Sequence, residues 1–424
     1  MKSFLCWLVL LSLLAAHLFV AIAPGNRIYT QWSGGGDTRQ YVELAENISA
    51  GRGYTFAGMP TALRAPLYPL LLAGLMRLSQ NWAIWIRVLQ LVAGIVTAIL
   101  CGELADRWFG ANAGVAGMVL ALLSPTLLFF AGEILTESLA ALLVVGFLLV
   151  LDSATRSEST DHLVTLGVLA GVAALCRFNT IALVPIALLT VFLSDRKNWK
   201  RATIVGMASL VILAPWIVHN EIVFHGRASY STHGGLVAVE GVLMPEGRTQ
   251  PGETEAILNA LGLHSWNVET NTPKGQELRD EAALNEKAWH VAFHLWRETG
   301  LRLFPLWVNK IGAFWLSTDQ IVGTGGLSSR ARALRLVGSG IYLIILISAL
   351  FGWRVLYRRD RKMAHVIVFY AAALTIFHLP LTMNTRLRVP LFDPLLCSLA
   401  AGGAYNHRAW FLPRSATSAS VNKS

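Results

Sequence analysis

FLCWLVLLSLLAAHLFVAIA, residues 4–23, runs directly into PGNRIYTQWSGGGDTRQY, residues 24–41. The first stretch carries no Asp, Glu, Lys or Arg. At 1.5 Å per residue a run of roughly 20 apolar residues crosses the hydrocarbon core of a bilayer, so it reads as a transmembrane helix. The second stretch therefore emerges as a polar segment tethered to the membrane surface. Asp37 stands in it behind Gly34, Gly35 and Gly36, which let the backbone approach a ligand closely. Tyr41, Leu44, Ala45 and Ile48 follow at helical spacing, which predicts an amphipathic helix lying at the interface with Asp37 at its start. Two readings of Asp37 are compatible there. It is a favoured helix-capping residue, and it is a carboxylate presented at a bilayer surface.

The rest of the chain repeats the first signal. Of 424 residues, 54% are hydrophobic and 14% charged, against about 25% charged in a soluble domain; mean hydropathy is +0.52. This excludes a soluble enzyme and fixes the class as an all-α polytopic membrane protein. Ten spans are predicted: 4–23, 82–104, 113–131, 134–151, 163–176, 180–193, 203–219, 334–353, 365–381 and 389–405. Ala21-Ile22-Ala23 resembles a signal-peptidase site, but the topology works only if the first span is retained. Lys and Arg favour cytoplasmic loops. Arg196, Lys197, Lys200 and Arg201 follow span six, and Arg354, Arg358, Arg359, Arg361 and Lys362 follow span eight. Both loops, and the tail with His407, Arg408 and Arg414, are cytoplasmic when the N-terminus is. The net charge of +10 therefore reflects membrane topology rather than nucleic-acid binding. Cys6, Cys101, Cys176 and Cys397 sit in or beside spans and read as small buried hydrophobes.

Three regions result: 1–219, membrane helices with the outer segment 24–81; 220–332, extracytoplasmic; and 333–424, the last helices and a cytoplasmic tail. Within the second, 219–247 reads as irregular, 274–300 as an amphipathic helix, and 301–316 as an interfacial helix with an eleventh span as the alternative.

Several unusual residues fall on the outer face. Glu133 and Glu137 are four apart, hence on one helical face, before span four. Arg177 ends span five; Arg386 and Arg388 precede span ten; Arg64 precedes Pro66. Arginines on this face run against the positive-inside preference, and guanidinium forks suit phosphate. Snorkelling to headgroups is the bland reading of each one alone; their shared side favours a common anionic ligand. His219, His225 and His233 fit no metal-ligand spacing, and His378 reads as a hydrogen-bonded core residue. Nucleotide-binding fingerprints and nucleophile elbows are absent from the sequence.

In order, the chain holds Asp37, Tyr41, Ala45; Gly51-Arg52-Gly53-Tyr54; Arg64-Ala65-Pro66-Leu67-Tyr68-Pro69; Glu133 and Glu137; Arg177-Phe178-Asn179; Pro215-Trp216-Ile217-Val218-His219-Asn220; Ser231-Thr232-His233-Gly234-Gly235; and Arg386-Leu387-Arg388-Val389-Pro390. This ordered set resembles the membrane glycosyltransferases of the GT-C fold, the broad group including protein mannosyltransferases and the aminoarabinose transferase of lipid A. His219 departs from it, because many relatives have an arginine there. The resemblance implies a GT-C fold of about ten transmembrane helices with extracytoplasmic interfacial helices. It implies transfer of a sugar from a polyprenyl-phosphate donor to a hydroxyl of a lipid, glycan or protein, at the outer face of the cytoplasmic membrane, with inversion. Asp37 would be the general base. Glu133 or Glu137 would orient the acceptor or a basic side chain. Arg64, Arg177, Arg386 and Arg388 would hold the phosphate, and Tyr41, Tyr68, His219 and Asn220 would position substrate. No cofactor is required, although an Asp37–Glu133 pair is compatible with a divalent cation. A transporter or flippase for a lipid-linked or anionic solute is the alternative reading.

Overall fold

The computed structural model describes residues 37–195, 198–243, 253–263, 266–267, 272–273, 280–316 and 329–405. The first predicted span, the three glycines before Asp37, Arg196, Lys197 and the tail arginines lie outside them. The chain is helical nearly throughout. Helix α1 (Asp37–Ser49) leads through a hairpin of β1 (Thr55–Phe56) and β2 (Met59–Pro60) to α2 (Leu67–Leu78). Then come α3 (Trp82–Phe109), α4 (Ala111–Leu123), α5 (Pro125–Ala131), α6 (Glu137–Arg156), α7 (Thr160–Cys176) and a 3-10 turn (Phe178–Ala182). They are followed by α8 (Leu183–Ser194), α9 (Trp199–Val223), α10 (Gly234–Leu243), α11 (Glu253–Leu261) and a second short hairpin, β3 (Trp266–Asn267) with β4 (Thr272–Pro273). The chain ends in α12 (Glu281–Thr299), α13 (Leu303–Leu316), α14 (Ser329–Arg359), α15 (Arg361–His378) and α16 (Thr385–Tyr405).

The amphipathic helix expected after the glycines is α1, with Tyr41, Leu44 and Ala45 buried. The hairpin after it turns at Ala57 and Gly58, both with positive φ, as a two-residue hairpin loop requires. Asn47 Nδ2 donates to Thr55 O at 2.7 Å, and Ala57 N donates to Glu43 Oε1 at 2.7 Å. These bonds fold the strands onto α1, so that residues 61–65 run back past its start. Helix α2 was not among the expected elements. Pro66 and Pro69 stand at its first turn, where their missing N–H groups cost nothing, and Tyr68 and Leu72 are fully buried.

Among the described residues four helices are long and apolar enough to cross a membrane: Trp82–Phe109, Glu137–Arg156, Trp199–Val223 and Leu336–Arg359. Their outward stripes are apolar: Ile84, Trp85, Val92 and Ile99 on α3, and Ile344, Ile347 and Leu350 on α14, are exposed. Water would not tolerate that surface, and lipid does. The third predicted span is broken. Helices α4 and α5 meet at 56°, because Pro125 drives Ser124 out of the helical region to φ −62°, ψ 116°. The pair counts as a fifth span when taken together. The count of ten is therefore not reached among the described residues: the first predicted span lies outside them, α7 and α8 are short with 17 and 12 residues, and α15 and α16 are not among the crossing helices.

Helix α16 is the hub. It is buried on nearly all sides from Thr385 to Gly403 and packs against α14, α4, α3 and α6. Its contact with α14 is backbone to backbone, since a Cβ on Gly352 would lie 1.8 Å from Leu399 O and one on Gly403 would lie 2.1 Å from Ser348 O. The region 219–247, expected to be irregular, is corrected in part: α9 continues to Val223 and α10 is a helix, 224–233 is turns and bends as expected, and 244–247 lie outside the described residues. Its glycines serve close packing, because a Cβ on Gly235 would lie 2.4 Å from Asn285 O of α12. The described part of α13 has 14 residues, fewer than a membrane span needs.

Charge sorts to the two ends of α6. At its C-terminal end Arg156 pairs with Asp152 and Asp360, Lys362 Nζ donates to Thr155 O, and Arg201 donates to Ala154 O and Ser157 O. The described parts of both basic loops thus gather at one end of the bundle, as the charge pattern required.

Candidate active site

The other end of α6 holds the site. Asp37, in the first turn of α1, places each carboxylate oxygen on a different arginine. Oδ1 accepts from Arg64 Nη2, and Oδ2 accepts from Arg386 Nη1 at 2.6 Å. Arg386, at the start of α16, turns its Nε to Glu137 Oε1. Glu137, the first residue of α6, also accepts from Arg177 Nη1 at 2.9 Å, and the same Nη1 donates to Thr136 Oγ1 at 2.9 Å. Five residues from distant parts of the chain thus form one line: Arg64, Asp37, Arg386, Glu137, Arg177. Four of them sit at the end of a helix and Arg64 in the loop before α2, which is why short motifs rather than long segments carry it.

Three guanidiniums face two carboxylates, which leaves one positive charge. Glu137 is 0% exposed at its side chain, while Arg177, Arg64, Arg386 and Asp37 are 12%, 15%, 19% and 20% exposed. Glu137 is therefore sealed from solvent, while the other four side chains keep part of their surface open. Burial pushes the Asp37 carboxyl up, but the charges of Arg64 and Arg386 outweigh it and hold the group well below the usual carboxylate range. Arg177 Nε is buried with no hydrogen-bond partner among the described residues. A buried donor without an acceptor is costly, so an oxyanion ligand would complete it.

Supporting residues fix the geometry. Arg64 Nε donates to Gln40 Oε1 at 2.6 Å, and its backbone carbonyl accepts from Tyr54 OH at 2.8 Å. The Arg64 guanidinium lies 5.5 Å from the centroid of Tyr41, and Tyr41 meets Tyr68 edge to face at 5.1 Å. Tyr41 therefore touches the site, and Tyr68 stands behind it with its hydroxyl 3.5 Å from Gln90 Oε1. Gln90 Nε2 donates to Glu133 O at 2.6 Å and Leu135 O at 3.0 Å, pinning the acidic turn. Gln90, Gln40 and Thr136 were not picked out from the sequence. A polar side chain in the middle of the apolar stretch 82–104 was the available signal for Gln90.

Three expectations are corrected. Glu133 and Glu137 do not share a helical face: α5 ends at Ala131, residues 132–136 form a turn, and α6 begins only at Glu137. Glu133 is buried at 3% exposure in that turn, and its backbone carbonyl accepts from Gln90 Nε2 at 2.6 Å. Arg388, two residues past Arg386, points the other way. It is fully buried, pairs with Asp393 at 3.1 Å, donates to Phe314 O at 2.8 Å and lies 3.9 Å over the Tyr342 ring. His219 is exposed and stacks on Trp216, while Asn220 Nδ2 donates to Ser229 O and Tyr230 O. His219, Asn220 and Arg388 are thus not brought to the line of five. Asn179, by contrast, lies 3.2 Å from Nε2 of the buried His378, whose Nδ1 is 2.7 Å from Leu374 O, so His378 is a core residue as expected. Cys101, Cys176 and Cys397 are buried free thiols. Among the described residues no three His, Cys, Asp or Glu side chains cluster as metal ligands.

Comparison with known proteins agrees with this architecture. Residues 63–219 match the family model of dolichyl-phosphate-mannose-protein mannosyltransferase. No curated protein sequence matches the chain. Among solved structures, the apo oligosaccharyltransferase of Archaeoglobus fulgidus aligns with 99% of this chain at TM-score 0.55 and 16% identity; this chain spans 52% of that protein. The same organism's oligosaccharyltransferase AglB, solved with an inhibitory peptide and a dolichol-phosphate, aligns with 95% at TM-score 0.55 and 14% identity. ArnT from Cupriavidus metallidurans bound to undecaprenyl phosphate aligns with 95% of this chain and 78% of its own, at TM-score 0.41 and 16% identity. The chain has the GT-C fold of membrane glycosyltransferases.

Proposed function

We propose that the chain is a glycosyltransferase that uses a polyprenyl-phosphate-linked sugar, working at the outer face of the cytoplasmic membrane. The observation that carries this reading is the line Arg64–Asp37–Arg386–Glu137–Arg177. Its single excess positive charge, its partly open surface and the unpartnered Arg177 Nε suit a phosphate. Two comparisons support the choice of ligand: the mannosyltransferase family match, and the structurally similar AglB, which was solved with a dolichol-phosphate.

The two acids have different parts. Glu137 is wholly buried and holds Arg386 and Arg177 in place. Asp37 keeps part of its surface open and takes the acceptor's proton. With both oxygens held by guanidiniums, Asp37 is a weak base. A donor phosphate competes for Arg64 and Arg386; each bond it captures releases a carboxylate oxygen and raises its basicity. The acceptor hydroxyl oxygen then forms the new bond to the anomeric carbon, the bond to the phosphate oxygen breaks, and that oxygen leaves with the electron pair onto the arginines. The hydroxyl proton passes to Asp37. A single displacement of this kind inverts the anomeric centre. The acceptor is a hydroxyl of a lipid, glycan or protein. The arginines supply the positive charge that a divalent cation would bring, and the mechanism needs no cofactor.

The test is consumption of dolichyl-phosphate-mannose and a panel of other polyprenyl-phosphate sugars by detergent-solubilised protein, with cell-envelope extract as acceptor. Detergent removes any sealed compartment, so a transporter would consume nothing. Asp37→Asn is expected to lower turnover by roughly 10²–10⁴-fold with unchanged protein level. Full activity in that variant would sink the assignment.

A further inference from the structure

Helix α10 has one face left over. Gly235 is pressed on α12, where its N–H donates to Asn285 Oδ1 at 2.8 Å. Gly241 is pressed on residues 380–381, where a Cβ would lie 2.5 Å from Pro380 O. Thr382 N donates to Val237 O at 3.0 Å. Lys310 Nζ, fully buried, binds Gly241 O at 2.7 Å, Leu379 O at 2.8 Å and Leu381 O at 2.6 Å. Close contact on two sides and this staple fix the rotation of α10 about its axis. The half-buried stripe that remains is His233, just before the helix, then Val237 and Glu240, spaced i, i+4, i+7 on one face.

That stripe starts beside the segment that carries Arg64: Thr232 N donates to Ala62 O at 3.2 Å, and the Thr61 and Thr232 hydroxyls both donate to the Glu281 carboxylate. The charges acting on both His233 and Glu240 are those of Arg64 and Asp37. Neither polar residue is used by the chemistry described above. Glu240 is oriented rather than neutralised. Thr382 Oγ1 donates to its Oε2 at 3.0 Å, and no hydrogen bond among the described residues reaches Oε1. Burial pushes the Glu240 carboxyl up to about 7 and the His233 imidazole down to about 3. Near neutrality the imidazole is uncharged, and the carboxyl offers both donor and acceptor capacity.

We propose that Glu240, aided by His233, is the sugar-reading residue of the site: the oriented carboxyl binds hydroxyl groups of the donor sugar while the arginine line holds its phosphate. A neutral imidazole and a part-protonated carboxyl suit vicinal hydroxyls and do not compete for the phosphate. Thr382 is a positioning residue that aims Glu240. This inference rests on the donor class proposed above, and the experiment separates the two.

Binding is measured for plain dolichyl phosphate and for dolichyl phosphate carrying mannose, glucose or an aminopentose. The wild-type protein is expected to bind its preferred sugar-charged lipid more tightly than the plain lipid. Glu240→Ala is expected to lose about tenfold of that sugar-dependent gain, the value of one hydrogen bond to a charged or part-charged group, with affinity for plain dolichyl phosphate unchanged. Glu240→Gln, which keeps a donor and an acceptor, should recover part of the gain and change the ranking among sugars. Equal loss of plain-lipid binding in Glu240→Ala would make the residue structural and overturn the proposal. So would a full sugar-dependent gain in that variant, or a wild type with no gain for any sugar. A wild type that binds no polyprenyl phosphate at all would instead overturn the donor class.

Discussion

Replacing Arg386 by glutamine removes the one side chain that touches both acids of the site. Arg386 gives Nη1 to Asp37 Oδ2 at 2.6 Å and Nε to Glu137 Oε1. Removing one member of a fully buried ion pair costs about 3–5 kcal/mol, but neither acid is left alone here. Asp37 keeps Arg64 and is 20% exposed, so its share is screened to about 1 kcal/mol. Glu137 is 0% exposed and keeps Arg177 at 2.9 Å, which leaves its share at about 2 kcal/mol. The expected loss of stability is therefore about 3 kcal/mol, read as a lower melting temperature in detergent. The transfer step should suffer more than the fold. A preorganised donor facing developing negative charge is worth about 10²–10³ in rate, so turnover of dolichyl-phosphate-mannose or the preferred donor should fall by that factor at saturating lipid. Arg386→Lys keeps the charge but can serve only one of the two acids well, and should fall about midway. Wild-type turnover in Arg386→Gln, in protein shown to be folded, would refute the arginine line as the phosphate site.

Two further outcomes follow from groups outside the spans. Lys310→Met would leave the carbonyls of Gly241, Leu379 and Leu381 without their donor, the first of them buried, at about 1–3 kcal/mol for a buried one that stays unsatisfied. It should lower thermal stability and, by freeing α10, weaken sugar discrimination more than binding of plain lipid phosphate. Glu240 titrates near 7 in the folded chain against an ordinary 4.5. The folded state therefore holds this proton more tightly than the unfolded one, and its contribution to stability falls as pH rises from about 4.5 through about 7. Glu240→Gln should remove that slope and be the more stable form above pH 7, by about 1–3 kcal/mol. Parallel melting curves of the two proteins from pH 5 to pH 8 check it; unchanged spacing between them would refute it.

The residues that were legible as site candidates are those whose type is wrong for their place. Arginine on the face that the loop charges mark as outer, and acids at the ends of apolar spans, stand out because lipid makes charge expensive, and Asp37, Glu137, Arg64, Arg177 and Arg386 all have that mark. Arg388 has the same mark but a different cause. A side chain two positions along a helix points about 200° away, and there Arg388 meets Asp393 and Tyr342 inside the bundle. Glu133 and Glu137 were misjudged together, since spacing of four implies one face only if the helix is continuous, and the turn at 132–136 interrupts it. The break between α4 and α5 was readable from Ser124-Pro125 but was masked by unbroken hydropathy. Helix α10 was hidden for the opposite reason, because glycines that permit close packing look in sequence like glycines that permit irregular backbone. Glu240, an ordinary acid in a long outer region, carried no mark at all. Its orientation depends on Lys310, Pro380 and Asn285, which are far away in the chain.

The line of five charges also has a history during synthesis. Its members are met by the ribosome in the order Asp37, Arg64, Glu137, Arg177, Arg386, and the last belongs to α16, the hub of the bundle. Among the first four, two acids and two arginines are equal in number. The residue that joins the Asp37–Arg64 half to the Glu137–Arg177 half is the one that also brings the excess positive charge. The proposed phosphate site therefore depends on the last helix of the bundle, since without Arg386 the Asp37–Arg64 and Glu137–Arg177 pairs are not joined.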